Sequence, residues 1–410
     1  MSAARFVIVG GGLAAATAAQ ELRARGVDGD IHLFAAEPHN PYIRPPLSKE
    51  YLLGKNGRDS VFVHPEGWYR DNGVVLATGQ RVSALGDHVI TLESGREVPF
   101  DRLLLATGAQ PRRLDVPGGG ADGIHYLRTL EDSEGLKRAF EAGGKRVVFV
   151  GSGWIGLELA AAARGYGNDV TVVAPEKVPL GGPLGDELGT MFRELHEQNG
   201  VVFRMQTATT GFEQSNGAVT GVVTDGGTIP ADLVVVGVGA VPDTALAQAA
   251  GLEVAGPQEG GGILVDEHLA ASVPDVFAAG DVANPYHPVI GQRMRNEHWA
   301  NAIAGGKVAA ASMAGADAVL DDIPYFYTDQ FDLGMEYSGY PPLTRDARIV
   351  YRGDRAAREF IAFWLNGSRV VAGMNVNVWD VNEQVQRLIR EDRDVDIDRL
   401  TDLAVDLSEL

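Results

Sequence analysis

The sequence is 410 residues long, 45% hydrophobic and 22% charged, an ordinary globular balance with enough aliphatic side chains for two or three domains. A formal net charge of -20 argues against nucleic acid or an anionic membrane as a partner, because both demand a basic face. With no cysteine, the chain has no disulfide scaffold, no thiolate metal site and no redox-active dithiol.

No apolar run reaches membrane-spanning length and an aliphatic strand begins near residue 6, so neither a spanning helix nor a signal peptide is expected and the expected location is cytoplasmic. Arg5 to Gly10, RFVIVG, reads as a short buried strand, followed by a glycine turn, an alanine-rich helix to about Arg25 and a strand from Ile31 to Phe34. VITLESGREV then alternates between turn residues, which predicts an antiparallel meander, and Arg102 to Gly108 returns as a continuous apolar strand of the kind covered on both faces. The cluster DVPGGG, at about Leu114 to Gly120, marks a crossing into a second unit.

That unit repeats the first. RVVFVG at Arg146 leads into GSGWIG, a helix through about Arg164 and the strand Val170 to Val173. A meander (FEQSNGAVTGVVTDGGTIP) and the apolar strand Asp232 to Gly239 follow, and AVPD at Ala240 to Asp243 marks the return. From about Ile323 aromatic strands, YFYTDQF, RIVYRG and REFIAFWL, precede a helix with Val381, Val385, Leu388 and Ile389 on one face. The expected fold is α/β, with two Rossmann-type dinucleotide-binding domains and a C-terminal α+β domain. The expected division is residues 1–114 with 242–320, residues 115–241, and residues 321–410.

Gly10, Gly12 and Ala15 form GxGxxA between strand and helix, with Leu13 and Ala14 opening the helix. The first glycine permits the turn, the second lets backbone reach a pyrophosphate at the helix N-terminus, and the small third residue packs helix on strand. Gly151, Gly153 and Gly156, with Ile155 between them, repeat the arrangement, so two nucleotides are expected. Each second strand should end near an acid that binds a ribose. Glu37 lies close to that place in the first unit. In the second the strand ends at Ala174 and the nearest acid is Glu176, with Lys177 beside it, which leaves NADPH open while leaning to NADH.

Six segments carry a wider resemblance: PYIRPPLSK at Pro41 to Lys49, LLLATG at Leu103 to Gly108, LRTLED at Leu127 to Asp132, VFAAGDVA at Val276 to Ala283, EHWANA at Glu297 to Ala302, and YFYTDQF. In these the chain resembles the FAD-dependent pyridine nucleotide:ferredoxin reductases, the oxygenase-coupled, putidaredoxin reductase-like group related to apoptosis-inducing factor. The resemblance implies a glutathione reductase-like fold, FAD and a nicotinamide nucleotide as cofactors, and a two-iron ferredoxin partner that serves an oxygenase. It places Arg44, Lys49, Arg128 and Asp281 on FAD, Asp281 at the ribityl chain, Trp299 against the flavin after Glu297 and His298, and Val82 near the adenine. Ala106, Thr107, Gly108, Gly239 and Gly280 complete the implied cofactor set. Glu158 pairs with Lys49 beside the flavin in that family, and these two are the catalytic candidates. A fixed cation favours electron-rich flavin, while a carboxylate orients the cation and helps place the nicotinamide.

The sequence departs from the family pattern in three ways. Ala36 stands at its first acidic position, with Glu37 one later, and Ala174 stands where Asp or Glu is usual. Tyr325 and Tyr327 replace frequent tryptophans, and core packing is an equal reading for them. The nine histidines show no metal-ligand spacing, so His287 and His298 are read without a metal, and no GxSxG elbow or P-loop occurs. The expected activity is NAD(P)H:ferredoxin reduction, with an NAD(P)H oxidase or quinone reductase, or a redox-sensing interaction protein, as alternatives. Arg293, Arg295, Arg387 and Arg390 are candidates for basic docking spots, a solvated face being the alternative.

Overall fold

The aliphatic run Arg5–Val9 pairs in parallel with Asp30–Phe34 on one side and Arg102–Leu105 on the other, as a strand apolar on both faces requires. In the computed structural model, which describes residues 4–410, a five-stranded sheet runs Val276–Ala278, Arg102–Leu105, Arg5–Val9, Asp30–Phe34, Val74–Ala77. A strand from beyond residue 270 therefore closes a sheet begun at residue 5. The second sheet has the same logic, ordered Val202–Met205, Asp169–Ala174, Arg146–Val150, Leu233–Val236, Ile124–His125, all parallel. The alternating segments form two antiparallel meanders, Val82–Gly86 to Glu97–Pro99 and Thr209–Ser215 to Gly227–Pro230.

The two crossings between these sheets pair with each other. Ala109–Pro111 lies antiparallel to Ala240–Pro242, the Asp243 amide donates to the Gly108 carbonyl at 2.9 Å, and the Thr107 hydroxyl donates to the Asp243 carbonyl at 2.7 Å. The last segment forms a five-stranded antiparallel sheet with Tyr325–Gln330 at one edge, backed by the helix Asn382–Glu391, which buries Val385, Leu388 and Ile389. Leu333, Tyr337, Phe360 and Trp364 of this sheet share one apolar core with Phe149 of the second parallel sheet and with Leu157 and Phe192 of the helices Trp154–Gly165 and Gly181–Gln198 that cover it.

The apolar strands end sooner than the sequence suggests, at Leu105 and Val236 rather than at Gly108 and Gly239. The glycine turns are the cause. Gly10 adopts φ +138 and a Cβ there would overlap the Ala106 carbonyl oxygen; Gly151 adopts φ +104 and a Cβ would overlap that of Gly237. Each partner strand must yield to the turn pressed against it. Gly12 has no protein atom within 4 Å of the corresponding position, so its neighbourhood is open. Gly10→Ala is therefore expected to destabilise the apoprotein by about 3–5 kcal/mol in thermal or denaturant unfolding, through overlap and backbone strain together. Gly12→Ala is expected to leave apoprotein unfolding within about 1 kcal/mol of wild type while abolishing dinucleotide uptake, measured by titration.

Candidate functional site

Three helices begin at one cleft of about 1000 Å³: Leu13–Ala24 after Gly12, Trp154–Gly165 after Gly153, and Trp299–Met313 after His298. None has a side-chain cap, so their first-turn amides are left for another acceptor, and with the helix dipole they favour an anion. A fourth helix starting at the same cleft, Leu130–Glu141, is instead closed by its own capping box, in which Thr129 accepts from the Asp132 amide and Asp132 accepts from the Thr129 amide. Sequence chemistry thus shuts one helix and leaves three open.

Most of the residues singled out in the sequence meet here. Gly10, Gly12, Leu13 and Ala14 line the cleft from the first turn, and Gly153, Ile155 and Gly156 from the second. Ala106, Thr107, Gly108 and Gly239 line it where the crossing strands start, Val82 from the first meander, and Gly280, Glu297, His298 and Trp299 from the later chain. Ala15 and Gly151 do not line it: Ala15 is fully buried between helix and sheet, and Gly151 supports the turn from behind. Glu176 lies outside the cleft, beyond the strand Asp169–Ala174.

The charged rim is internally balanced. Arg44 pairs with Glu37 at 3.0 Å and donates to the Arg128 carbonyl, the Tyr42 hydroxyl donates to the same Glu37, and Arg128 pairs with Asp281 at 2.8 Å. Burial, with Arg44 beside it, pulls the Arg128 guanidinium below the usual arginine range. The Arg128 Nε has no hydrogen-bond partner among the described residues although buried, an unmet donor beside three open helix ends. A long anionic dinucleotide fits these donors. Glu37, the expected ribose acid of the first unit, is held by Tyr42 and Arg44.

Deeper chemistry centres on Lys49 and Glu158, an ion pair at 2.8 Å with side chains only 7% and 5% exposed. Lys49 follows the short turn Pro45–Ser48, and Glu158 lies one turn into the helix after the second glycine motif. The Ser48 hydroxyl donates to one Glu158 oxygen and the Thr328 hydroxyl to the other, at 2.6 Å for Thr328. Lys49 Nζ also sits 5.3 Å from the centre of the Tyr327 ring. Sequence reasoning missed Ser48 and Thr328 although both lie inside quoted segments, because hydroxyls carry no pattern of their own.

An aromatic wall stands beside this pair. His298 stacks on Phe326 at 4.3 Å, and Trp154 meets Phe326 edge-on at 5.0 Å. Burial pushes the His298 imidazole down to about 4, so it is neutral in this setting. Of the two tyrosines, Tyr327 lines the cleft, whereas Tyr325 faces away and donates to Glu336 at 2.7 Å.

Three of the four arginines considered for docking are tethered. Arg293 donates to the Val265 and Asn284 carbonyls, Arg295 to those of Gly260 and Asp281 and to Glu297, and Arg387 to those of Leu407 and Leu410. These forks tie the guanidinium groups to backbone carbonyls, which fixes their position and leaves their charge in place; Arg390 has no such clamp among the described residues and borders a cavity of about 200 Å³. Among the described residues there is no cluster of potential metal ligands, and no helix is long and apolar enough to cross a membrane.

Two glycine turns on separate parallel sheets, open to one cleft that holds a buried lysine–carboxylate pair, define an oxidoreductase built for two dinucleotides. Comparison with known proteins gives the family. Residues 4–306 match the family model described as pyridine nucleotide-disulphide oxidoreductase, and residues 325–410 match the one described as reductase C-terminal. The chain is 38% identical to the anthranilate 1,2-dioxygenase system ferredoxin--NAD(+) reductase component of Burkholderia cepacia, over 99% of both chains. It is 35% identical to putidaredoxin reductase CamA of Pseudomonas putida, over 98% of this chain and 96% of that one. The fold matches the reductase in a crystal structure of the covalent putidaredoxin reductase–putidaredoxin complex with a TM-score of 0.94 and 34% identity, covering 100% of this chain and 98% of that one. The chain belongs to the pyridine nucleotide-disulphide oxidoreductase family, and it is an FAD-dependent oxidoreductase that uses NAD(H).

A further titratable group lies behind the site. His196 is fully buried, with Nε2 at 2.8 Å from the Gln330 amide oxygen and Phe203 and Phe331 edge-on to its ring. Burial lowers it from 6.5 to about 4. The unfolded chain therefore binds the proton first as pH falls, so the stabilising effect is complete above about 6.5 and declines towards 4. The melting temperature of wild type is expected to fall steeply across that window, and His196→Gln to flatten the decline; an identical pH dependence for both would contradict the neutral buried ring.

Proposed function

We propose that the protein is an NADH:ferredoxin reductase, passing electrons from NADH by way of FAD to a two-iron ferredoxin that serves an oxygenase. The observation that carries this is the buried Lys49–Glu158 pair in a cleft reached by both glycine turns, in a chain without cysteine. No dithiol is available to take electrons onward, so they must leave to an external acceptor. The names of the relatives, a ferredoxin--NAD(+) reductase component and a putidaredoxin reductase, support a small iron–sulfur protein in that place.

Bound FAD supplies the exchange between two-electron nicotinamide and one-electron carrier chemistry. The chain's own part is placement and field. The first turn, Arg44, Arg128 and Asp281 would hold the permanent nucleotide, and Lys49 would offer a positive charge to the flavin while Glu158 fixes its direction. Phe326, Trp154 and His298 keep water from the exchange. Lys177 is paired with Asp186 at 2.5 Å, and the Glu176 carboxylate has no partner among the described residues, which supports ribose hydroxyls over a 2′-phosphate and so NADH over NADPH.

The proposal includes the division into residues 1–114 with 242–320 for FAD, 115–241 for the nicotinamide nucleotide and 321–410 as a C-terminal domain, supported by the sheet order. It also includes a cytoplasmic location, where NADH is the common reductant. Turnover with NADH and NADPH against a panel of two-iron ferredoxins, with oxygen and quinones competing, tests it. NADH and ferredoxin are expected to win by at least about tenfold each, the scale of one lost specific interaction; faster delivery to oxygen or quinone would make the protein an oxidase or quinone reductase. Lys49→Met and Glu158→Ala are expected to keep FAD and slow flavin reduction by NADH about tenfold or more in stopped flow.

A further inference from the structure

Lys49 and Ser48 account for only part of what holds Glu158. Its Oε1 also accepts from Thr328, the Thr328 hydroxyl accepts from the Gln330 side-chain amide at 3.1 Å, and the Gln330 amide oxygen lies 2.8 Å from His196 Nε2. Thr328 and Gln330 are each 1% exposed and His196 is 0% exposed, so no bulk water competes along this line. The four residues come from three places: the helix Trp154–Gly165, the edge strand Tyr325–Gln330 and the helix Gly181–Gln198.

We propose that Thr328, Gln330 and His196 form a one-way hydrogen-bond chain that positions the Glu158 carboxylate, with the imidazole proton fixed on Nε2. The inference rests on Glu158 working beside the flavin, and the direction follows from donor counting. A carboxylate paired with a lysine accepts only, so the Thr328 hydroxyl must give it its single proton. Having donated once, that oxygen can only accept from Gln330, which turns the amide NH2 towards it. The Gln330 oxygen then faces His196, whose Nε2 must carry hydrogen. Nδ1 is left as a bare lone pair, and it has no partner among the described residues. A bare acceptor is the less costly orphan there, because protonating it would bury an unpaired cation.

The far end of the line is closed under strain. Phe331, the next residue after Gln330, sits at φ +58, a region that bulky side chains rarely adopt, and its ring lies 4.9 Å from the His196 ring. Such a conformation persists only where the surroundings over-determine it. Here the turn places Phe331 against His196 and leaves Gln330 facing inward.

Two measurements on the FAD-loaded protein test the proposal. In 15N-histidine NMR at neutral pH, with His196 assigned by its loss in His196→Gln, the ring should show a protonated Nε2 and a bare Nδ1. A proton on Nδ1, or on both nitrogens, overturns the chain's direction. In stopped flow, Thr328→Val should slow flavin reduction by NADH roughly tenfold, the size of one charge-assisted hydrogen bond. The dependence on NADH concentration should change little, and Thr328→Ser should restore the rate. Placed on Glu158→Ala, Thr328→Val should add less than about twofold, because both act through one carboxylate. If Glu158→Ala itself reduces at the wild-type rate, the reading of the active site fails. If Glu158→Ala is slow while Thr328→Val is fast, or if the two losses multiply, the positioning chain fails. Should Thr328→Val not take up FAD, Gln330→Met replaces it in the same comparison, with the same slowing expected and the same results overturning the chain.

Discussion

A carboxylate as deeply buried as Glu158 persists as a charge only when a cation and enough donors replace the water it has lost. Lys49, Ser48 and Thr328 do so, and each comes from a stretch of chain remote from the second glycine motif. The glycine-turn helix that presents Glu158 must therefore pack against the turn Pro45–Ser48 and against the edge of the last sheet. Misplacing any one of them strands a charge, a penalty of several kcal/mol that no surface contact would offset. The shared apolar core between the last sheet and the second parallel sheet holds that geometry in place.

The repeated unit was legible because its cause is local. A continuous aliphatic strand, a glycine turn and a small-residue helix follow one another in sequence, and backbone sterics leave few other outcomes. Arg102–Leu105 and Leu233–Val236 stop short of the glycines that end their apolar runs because their following carbonyls receive Gly10 and Gly151, about 90 positions away. Thr328 touching Glu158 across 170 residues is of the same kind. The carbonyls that tether Arg293 and Arg387 lie 9 to 28 residues away in sequence, so nothing in the local pattern announces them. Family resemblance reached Lys49 and Glu158, and it said nothing of what stands behind them.

The two glycine units differ in how their rims are prepared. Around the first, Glu37, Tyr42, Arg44, Arg128 and Asp281 are already tied to one another, so a ligand meets groups whose freedom has been given up beforehand. Around the second, Glu176 has no side-chain partner among the described residues and Lys177 forms a solvent-facing pair with Asp186. A preorganised rim suits a prosthetic group that stays, and a loose one suits a coenzyme that must come and go.

The pairing of Ala109–Pro111 with Ala240–Pro242 puts the exit and the re-entry of the intervening chain about one strand spacing apart. Because the ends of that excursion already touch, whatever lies between them can grow, shrink or be exchanged with little added loop-closure entropy for the host sheet. Geometrically the middle of this protein is a cassette on a clasp, and a graft of another nucleotide-binding unit between the same two strands would inherit its docking point ready made.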